Sequence, residues 1–457
     1  MAFIRKIKRK DSIYLVKVEN YREDGKVKQR VLEYVGKEEN GKAIQKVDIN
    51  KLEVNNVKHH ADISILFQLC LRLNLNFLLG KNHKIIIALL IAHLVCKGSI
   101  LKISKWIEHS NILQIVGLKE LTLDMLYNAL DDLNDCNFDK IEHALFEHWK
   151  KIAPKDNQAY VLDVTDTYQN GKYNDSSLRK GKDGKVSKLV QIGLAVSFDN
   201  GFPILHKTFG GNISNIKILE DVMNVIAKRG INTMVLDRGF YSEANVTDMN
   251  KLGMKMIVGV KQSIGIKNTI LSTLSKDAIY VKKNLIELKN TIVYAVEQKF
   301  LFGKLIIIYN PKYEVMKKDK MLMNDATDTE VKYVGFSLIF HNTNLEIEKV
   351  VKKYFDKDIV ERSFRTMKGE AQLHPIRLWM PNRVEAHVKI CYLSMCLLSL
   401  IKYDCTKLNL SASEIMEELS TIYKVNLKHS ETKAEFEKIV TQSNIQKQIL
   451  KKLKCSV

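Results

Sequence analysis

Between Ala159 and Val260 the apolar residues change period again and again, and few architectures accommodate that order. "AYVLDVTDTY" (159–168) alternates as a strand does. A polar stretch, "NGKYNDSSLRKGKDGK" (170–185), leads into "SKLVQIGLAVSFDNGFPILHKTF" (187–209), which reads as two strands joined at Asn200-Gly201. "NISNIKILEDVMNVIAKRG" (212–230) then takes helical spacing, with Ser214 placed to cap its start and Gly230 to stop it. Strand "INTMVLD", helix "SEANVTDMNKLG" and strand "MKMIVGV" complete the run. Strands separated by single helices require a parallel sheet with crossover connections.

The order βββαβαβ, followed later by another helix, is that of an α/β, ribonuclease-H-like core. Around it the chain divides by pattern. Residues 1–58 open with alternating, Lys- and Arg-rich text that turns at Asp24-Gly25, and form a basic β unit. Residues 59–155 carry helical spacing throughout and form a helical subdomain. The core occupies 156–260. A β-rich insertion, 261–340, separates it from its last helices, 341–405, and 406–457 reads as a helical, basic tail.

Charge narrows the class of partner. Lys and Arg outnumber Asp and Glu 72 to 52, giving +20 over 457 residues, which favours a polyanion, nucleic acid ahead of an anionic membrane surface. The longest apolar runs, Ile85 to Cys96 and Ile390 to Ile401, are shorter than the roughly 20 residues of a membrane helix and read as buried core. No secretory signal pattern opens the chain, so a cytoplasmic, nucleoid-associated location is expected. Seven cysteines without a CxxC pair read as reduced packing residues. His387 reads as a core histidine in preference to a metal ligand.

Three acids fall where open α/β sheets gather ligands: Asp163 in the first strand, Asp237 after the fourth, and Glu361 on the helix that follows the insertion. Carboxylates drawn together repel unless divalent cations compensate, and hard oxygen ligands suit Mg²⁺ or Mn²⁺. Each acid also has a plain reading: Asp163 as a strand-end or Asx-turn residue, Asp237 as a helix-entry residue, Glu361 as a solvated partner of Arg365. Alternation sends Asp163 and Asp166 to opposite faces, so one of the two at most faces a site. On a continuous helix Tyr354, Glu361 and Lys368 share a face, with Lys357 and Arg365 beside it, and this directs phosphate clamps and a metal ligand the same way. Tyr354 reads equally as a packing aromatic. Asn212, in "GGN", reads as a loop residue.

"YFDKDIVERSFRTMKGE" resembles the Y-(2)-R-(3)-E-(6)-K signature of IS4-type DDE transposases at Tyr354, Glu361 and Lys368, with Lys357 where the family has Arg. "LDVTDTY", "KLVQIGLAVSFDNGFPILHKTFGGNISN", "MVLDRGFYSEAN" and "RVEAHVKICYLSMCLL" are similar, in order, to blocks of the IS1634-like subgroup, and so is the opening "FIRK…YREDGKVKQRVLEYVGK". The resemblance implies that Asp163, Asp237 and Glu361 form a catalytic, metal-binding triad. It implies cleavage of double-stranded DNA at terminal inverted repeats and joining of the 3′-hydroxyl to target DNA, in a homodimeric synaptic complex without a membrane. Tyr354, Lys357, Arg365 and Lys368 are then the DNA-binding residues, and Lys357 cannot form the two-pronged contact an Arg makes with phosphate. Two other readings stay open: a metal-dependent nuclease without strand transfer, and a catalytically silent DNA-binding derivative.

Overall fold

The computed structural model describes residues 2–9, 12–23, 25–39, 42–44, 51–154, 159–169, 177–180, 186–261, 269–272, 274–324, 331–431 and 433–456. The chain forms two units, 1–58 with 423–440, and 59–422 with 441–457.

In the first unit, β1 (Ala2–Arg9), β2 (Ser12–Glu23), β3 (Lys26–Glu39) and β4 (Lys42–Ile44) form an antiparallel sheet in that order. Glu23 registers opposite Lys26, which leaves a two-residue turn ending at Gly25, whose φ of +75° a hairpin of this kind requires. Asp24, expected in that turn, lies outside the described residues. A second sheet joins β5 (Leu52–His59) to strands Tyr423–His429 and Glu435–Ile439. This corrects the expected helical tail over 406–457. "YKVNLKH" places Tyr423, Val425 and Leu427 two residues apart, a strand period inside a helical neighbourhood.

The second unit begins with α1 (Ala61–Arg72), α2 (Leu75–Leu78), α3 (His83–Cys96), α4 (Ile100–Trp106), α5 (Ile112–Val116), α6 (Leu123–Asp135) and α7 (Phe138–Ile152). Ser99, Thr122 and Asn137 each accept a backbone N–H of the third residue on, satisfying a donor the helix leaves open. Asp62 is an exception to good satisfaction. Buried in the first turn of α1, it accepts from the Ile63 N–H through Oδ1, while Oδ2 has no partner. Burial pushes its carboxyl from 3.8 up to about 6. Because the folded value is the higher one, the unfolded chain loses this proton first, so stability falls as pH rises from about 4 to about 6 and stays lower above. A shift of that size is worth about 3 kcal/mol. Asp62→Asn is therefore expected to flatten the stability profile across that window and to raise stability at neutral pH by about 1–3 kcal/mol, read from urea unfolding at several pH values. A profile with the wild-type slope would refute it.

The α/β part follows the expected order: β6 (Tyr160–Tyr168), β7 (Ser177–Lys180), β8 (Val186–Ser197), β9 (Pro203–Gly210), α8 (Asn215–Lys228), β10 (Thr233–Leu236), α9 (Glu243–Lys251) and β11 (Lys255–Gly259). β9-β8-β6-β10-β11 are neighbours in that order, with β6, β10 and β11 parallel and β8 antiparallel to β6. Ser214 caps α8 and Gly230, at φ +70°, follows its end, as the sequence suggests. Two details differ. The β8–β9 connection spans five residues rather than a two-residue Asn-Gly turn, and β7, within the stretch read as a polar loop, pairs with the start of β8. The rest of that loop, 170–176 and 181–185, lies outside the described residues.

The chain continues through α10 (Lys276–Ile279), β12 (Leu285–Leu288), β13 (Thr291–Phe300), β14 (Gly303–Tyr309), α11 (Pro311–Leu322) and β15 (Phe336–His341). These strands are not a separate β body. β15 pairs antiparallel with β11, Ile257 opposite His341, and β14, β13 and β12 extend the same sheet to ten strands. Then come α12 (Ile347–Phe355), α13 (Ile359–Gly369), α14 (Pro381–Asp404), α15 (Ala412–Ser420) and α16 (Asn444–Leu453). α14 is long and apolar enough to cross a membrane, but 83% of its apolar window is buried inside the protein, where it is a core helix.

Candidate active site

The site begins with strand alternation. Tyr160, Leu162 and Val164 of β6 pack with Ile218, Leu219 and Val222 of α8 and with Val246 and Met249 of α9. The intervening residues therefore face the other side of the sheet. There the Thr167 hydroxyl donates to the Leu373 carbonyl at 3.2 Å, just beyond α13, and α13 packs on β6 and β8. Asp163 has the parity of Thr167 and lies, half-buried, on the α13 side; Asp166 has the parity of Val164 and the α8 side.

Register brings the second acid alongside. Leu236 pairs with Leu162 across the parallel β10–β6 ladder and with Val258 across β10–β11. Asp237 keeps extended geometry, φ −73° and ψ 161°, so one further step sets Asp163, Asp237 and Gly259 level on three adjacent strands about 4.8 Å apart. The absent side chain of Gly259 is put to use: a Cβ there would lie 2.1 Å from the Tyr354 hydroxyl. Tyr354, near the end of α12, occupies that space and directs its hydroxyl to Asp237 Oδ1 at 3.5 Å. Burial first, then the Asp237 carboxylate, hold this phenol well above its usual range, so it stays a donor. Lys357 Nζ lies 3.4 Å from the same Oδ1 and 5.1 Å from the Tyr354 ring centre.

One expectation is corrected. Residues 354–369 are not one helix: α12 ends at Phe355, residues 356–358 form a turn, and α13 starts at Ile359. Asp356 and Asp358 flank the break, and short carboxylates favour helix ends over helix interiors. The common face drawn through Tyr354, Glu361 and Lys368 is therefore split. Tyr354 and Lys357 turn to Asp237, while Glu361 stands exposed in the first turn of α13. Nor is Glu361 the ion-pair partner of Arg365. Neither side chain has an ion pair among the described residues, and Arg362 pairs with Asp358 instead, at 3.3 Å. Arg365 is exposed and Lys368 half-buried. The other flank of α13 lines a cavity of about 310 Å³ together with Ser399 and Lys402, and Arg362 and Arg365 border it. Burial, then Arg362, hold the Lys402 ammonium below its ordinary range. Asn212 is exposed in the turn before α8.

The donor set suits a hard divalent cation: three carboxylates, two of them level where the parallel pairing of β6 with β10 ends, with no sulfur or imidazole among them. The three are not drawn into a single tight cage. Among the described residues the three-ligand group with donor atoms within 4.8 Å of one another is His93, His387 and Cys391, elsewhere in the unit.

Comparison with known proteins gives the site its family. A transposase DDE domain model matches residues 154–397, more than half of the chain, and an IS1634 family transposase N-terminal domain model matches residues 4–51. The chain is a DDE transposase of the IS1634 type. Among solved structures, a cryo-EM piggyBac transposase synaptic complex with hairpin DNA aligns at TM-score 0.43 and 10% identity, covering 74% of this chain and 70% of that one. No curated protein matches in sequence. For this transposase, sequence reasoning missed Gly259, since "VGV" at the end of a buried strand carries no sign that a phenol fills the place of its side chain. It missed the Lys357–Asp237 contact for a related reason, because the helix break that permits it shows only as Asp-Lys-Asp.

Proposed function

We propose that the protein cuts double-stranded DNA at the terminal inverted repeats of a transposon and joins the freed 3′-hydroxyl to target DNA, on a ribonuclease-H-like core, with Asp163, Asp237 and Glu361 as the catalytic acids. What supports the reading is the level row of Asp163 and Asp237 on adjacent parallel strands, with the helix that bears Glu361 packed on the same side. The strand order β9-β8-β6-β10-β11, with only β8 reversed against β6 among its neighbours, is that of a ribonuclease-H-like sheet. Asp163, Asp237 and Glu361 would hold Mg²⁺ or Mn²⁺ once Glu361 closes on the two aspartates, and the ion would supply Lewis acidity to the reacting phosphodiester.

The remaining work falls to this chain's own groups. In the first reaction a water oxygen bonds to phosphorus as the bond to the transposon's 3′ oxygen breaks; in the second, that 3′-hydroxyl attacks a target phosphate and displaces the target's own 3′ oxygen. Tyr354 holds Asp237 in orientation through its hydroxyl, a positioning role rather than base stacking, and the Lys357 ammonium tempers the charge of the same carboxylate. Arg365 and Lys368 bind the DNA backbone, and Arg362 and Lys402 add positive charge along the cavity rim. Two ends are held together by a homodimer, since each active site acts on one end.

The test is strand transfer. The full chain, incubated with Mg²⁺, a supercoiled plasmid and an oligonucleotide end already carrying its 3′-hydroxyl, is expected to yield end–plasmid joints. Cutting of intact ends with no joints, across all inverted-repeat sequences flanking the gene, would leave a nuclease instead.

A further inference from the structure

We propose that His93, His387 and Cys391 form a structural Zn²⁺ site behind the active-site helix, separate from the carboxylates. His387 and Cys391 are four residues apart on α14 and so share a face; His93 comes from α3, almost three hundred residues earlier. Cys391 Sγ lies 3.7 Å from His387 Nε2 and 3.8 Å from His93 Nε2. A tetrahedral zinc ion with bonds of about 2.3 Å to sulfur and 2.0 Å to nitrogen holds such atoms about 3.6 Å apart. Both sulfur–nitrogen spacings match; the ligand nitrogens of the two imidazoles lie within 4.8 Å of each other, and the Ala371 carbonyl that His93 Nε2 and Cys391 Sγ face must turn aside to admit the ion.

The surroundings meet the other requirements of such a site. His93 and Cys391 are buried and His387 nearly so. A cavity of about 80 Å³ adjoins both imidazoles, with Tyr127, Gln372 and Arg377 in its wall, and has room for a water as fourth ligand. The Ala371 carbonyl accepts from His93 Nε2 at 2.8 Å and from the Cys391 thiol at 2.9 Å. Binding exchanges these bonds: the thiol proton passes to solvent, one per ion, His93 moves its proton to Nδ1, and sulfur and nitrogen lone pairs go to zinc. An ordinary buried hydrogen-bond cluster would leave the protons on His93 and Cys391, both donated to the Ala371 carbonyl.

The position gives the ion a purpose. Ala371 to Leu373 follow α13 directly, and Leu373 receives the Thr167 hydroxyl of β6. An ion joining α3 and α14 at this point fixes the segment on which α13 ends.

The experiment uses the full chain, freed of metal by dialysis and titrated with Co²⁺, followed by displacement with Zn²⁺. One equivalent is expected to give a thiolate-to-cobalt charge-transfer band with tetrahedral ligand-field bands, erased by Zn²⁺ and accompanied by a higher melting temperature. Cys391→Ser and His93→Gln should each abolish the charge-transfer band, and Asp163→Ala should keep it. A folded wild-type chain without the band overturns the proposal, as does a band that persists in Cys391→Ser, which belongs to another cysteine. If the variants fail to fold, the wild-type titration alone decides.

Discussion

Alanine at Asp163, Asp237 or Glu361 is expected to lower transposon-end cleavage on the order of 10³-fold or more, while end binding in a gel-shift assay changes by no more than about twofold. The split between the two readouts follows from position. Each acid lies on the active-site side of the sheet or at the start of α13, whereas affinity for DNA comes mainly from phosphate contacts by Lys and Arg. Asp166→Ala is the internal control. It has the parity of Val164, which packs toward α8, and its loss should leave cleavage within a factor of a few. Full activity of any one of the three acid variants would remove that residue from the triad, and an Asp166→Ala variant as inactive as Asp163→Ala would refute the parity argument.

The largest expected stability effect lies away from the chemistry. Glu142 of α7 is buried and accepts three bonds: from the His206 backbone N–H at 2.8 Å and its ring Nδ1 at 2.6 Å through Oε1, and from Arg229 Nη2 at 3.0 Å through Oε2. The Arg229 side chain is itself only 3% exposed. This network ties the helical segment to β9 and to the end of α8. Glu142→Ala leaves the guanidinium buried without its main counter-charge, and about 3–5 kcal/mol of stability is expected to be lost in urea unfolding. Removing both charges together, Glu142→Leu with Arg229→Met, should cost less than the sum of the single changes, because the second removes the charge the first left stranded. Strict additivity would show that the two groups act independently.

How far the fold was legible depends on the range of the interactions involved. Strand and helix periods within 159–260, the Ser214 cap and the Gly230 stop are local properties, and they reappear as β6, β8, β9, β10 and β11 with α8 and α9. The alternation that separates Asp163 from Asp166 is local too. What failed were readings that extended a local pattern too far. Continuing helical spacing across Asp356-Lys357-Asp358 merged α12 with α13, and continuing it past residue 406 hid two strands. Treating 261–340 as an insertion recognised its strands but not that β15 hydrogen-bonds to β11 and so joins them to the main sheet.

The sequence by itself determined the candidate acids, their order along the chain, that Asp163 and Asp166 stand on opposite faces of β6, and, through the resemblance of its motifs, the transposase family. These follow from backbone periodicity and residue chemistry, which need no partner far away in the chain. Only the tertiary structure decided that Asp237 stands level with Asp163, that Tyr354 fills the space left by Gly259, that Lys357 turns to Asp237, and that His93 meets His387 and Cys391. Those contacts join residues tens to hundreds of positions apart. They depend on ladder register and on which helices pack together, and both are settled by burying the whole core at once rather than by any one segment.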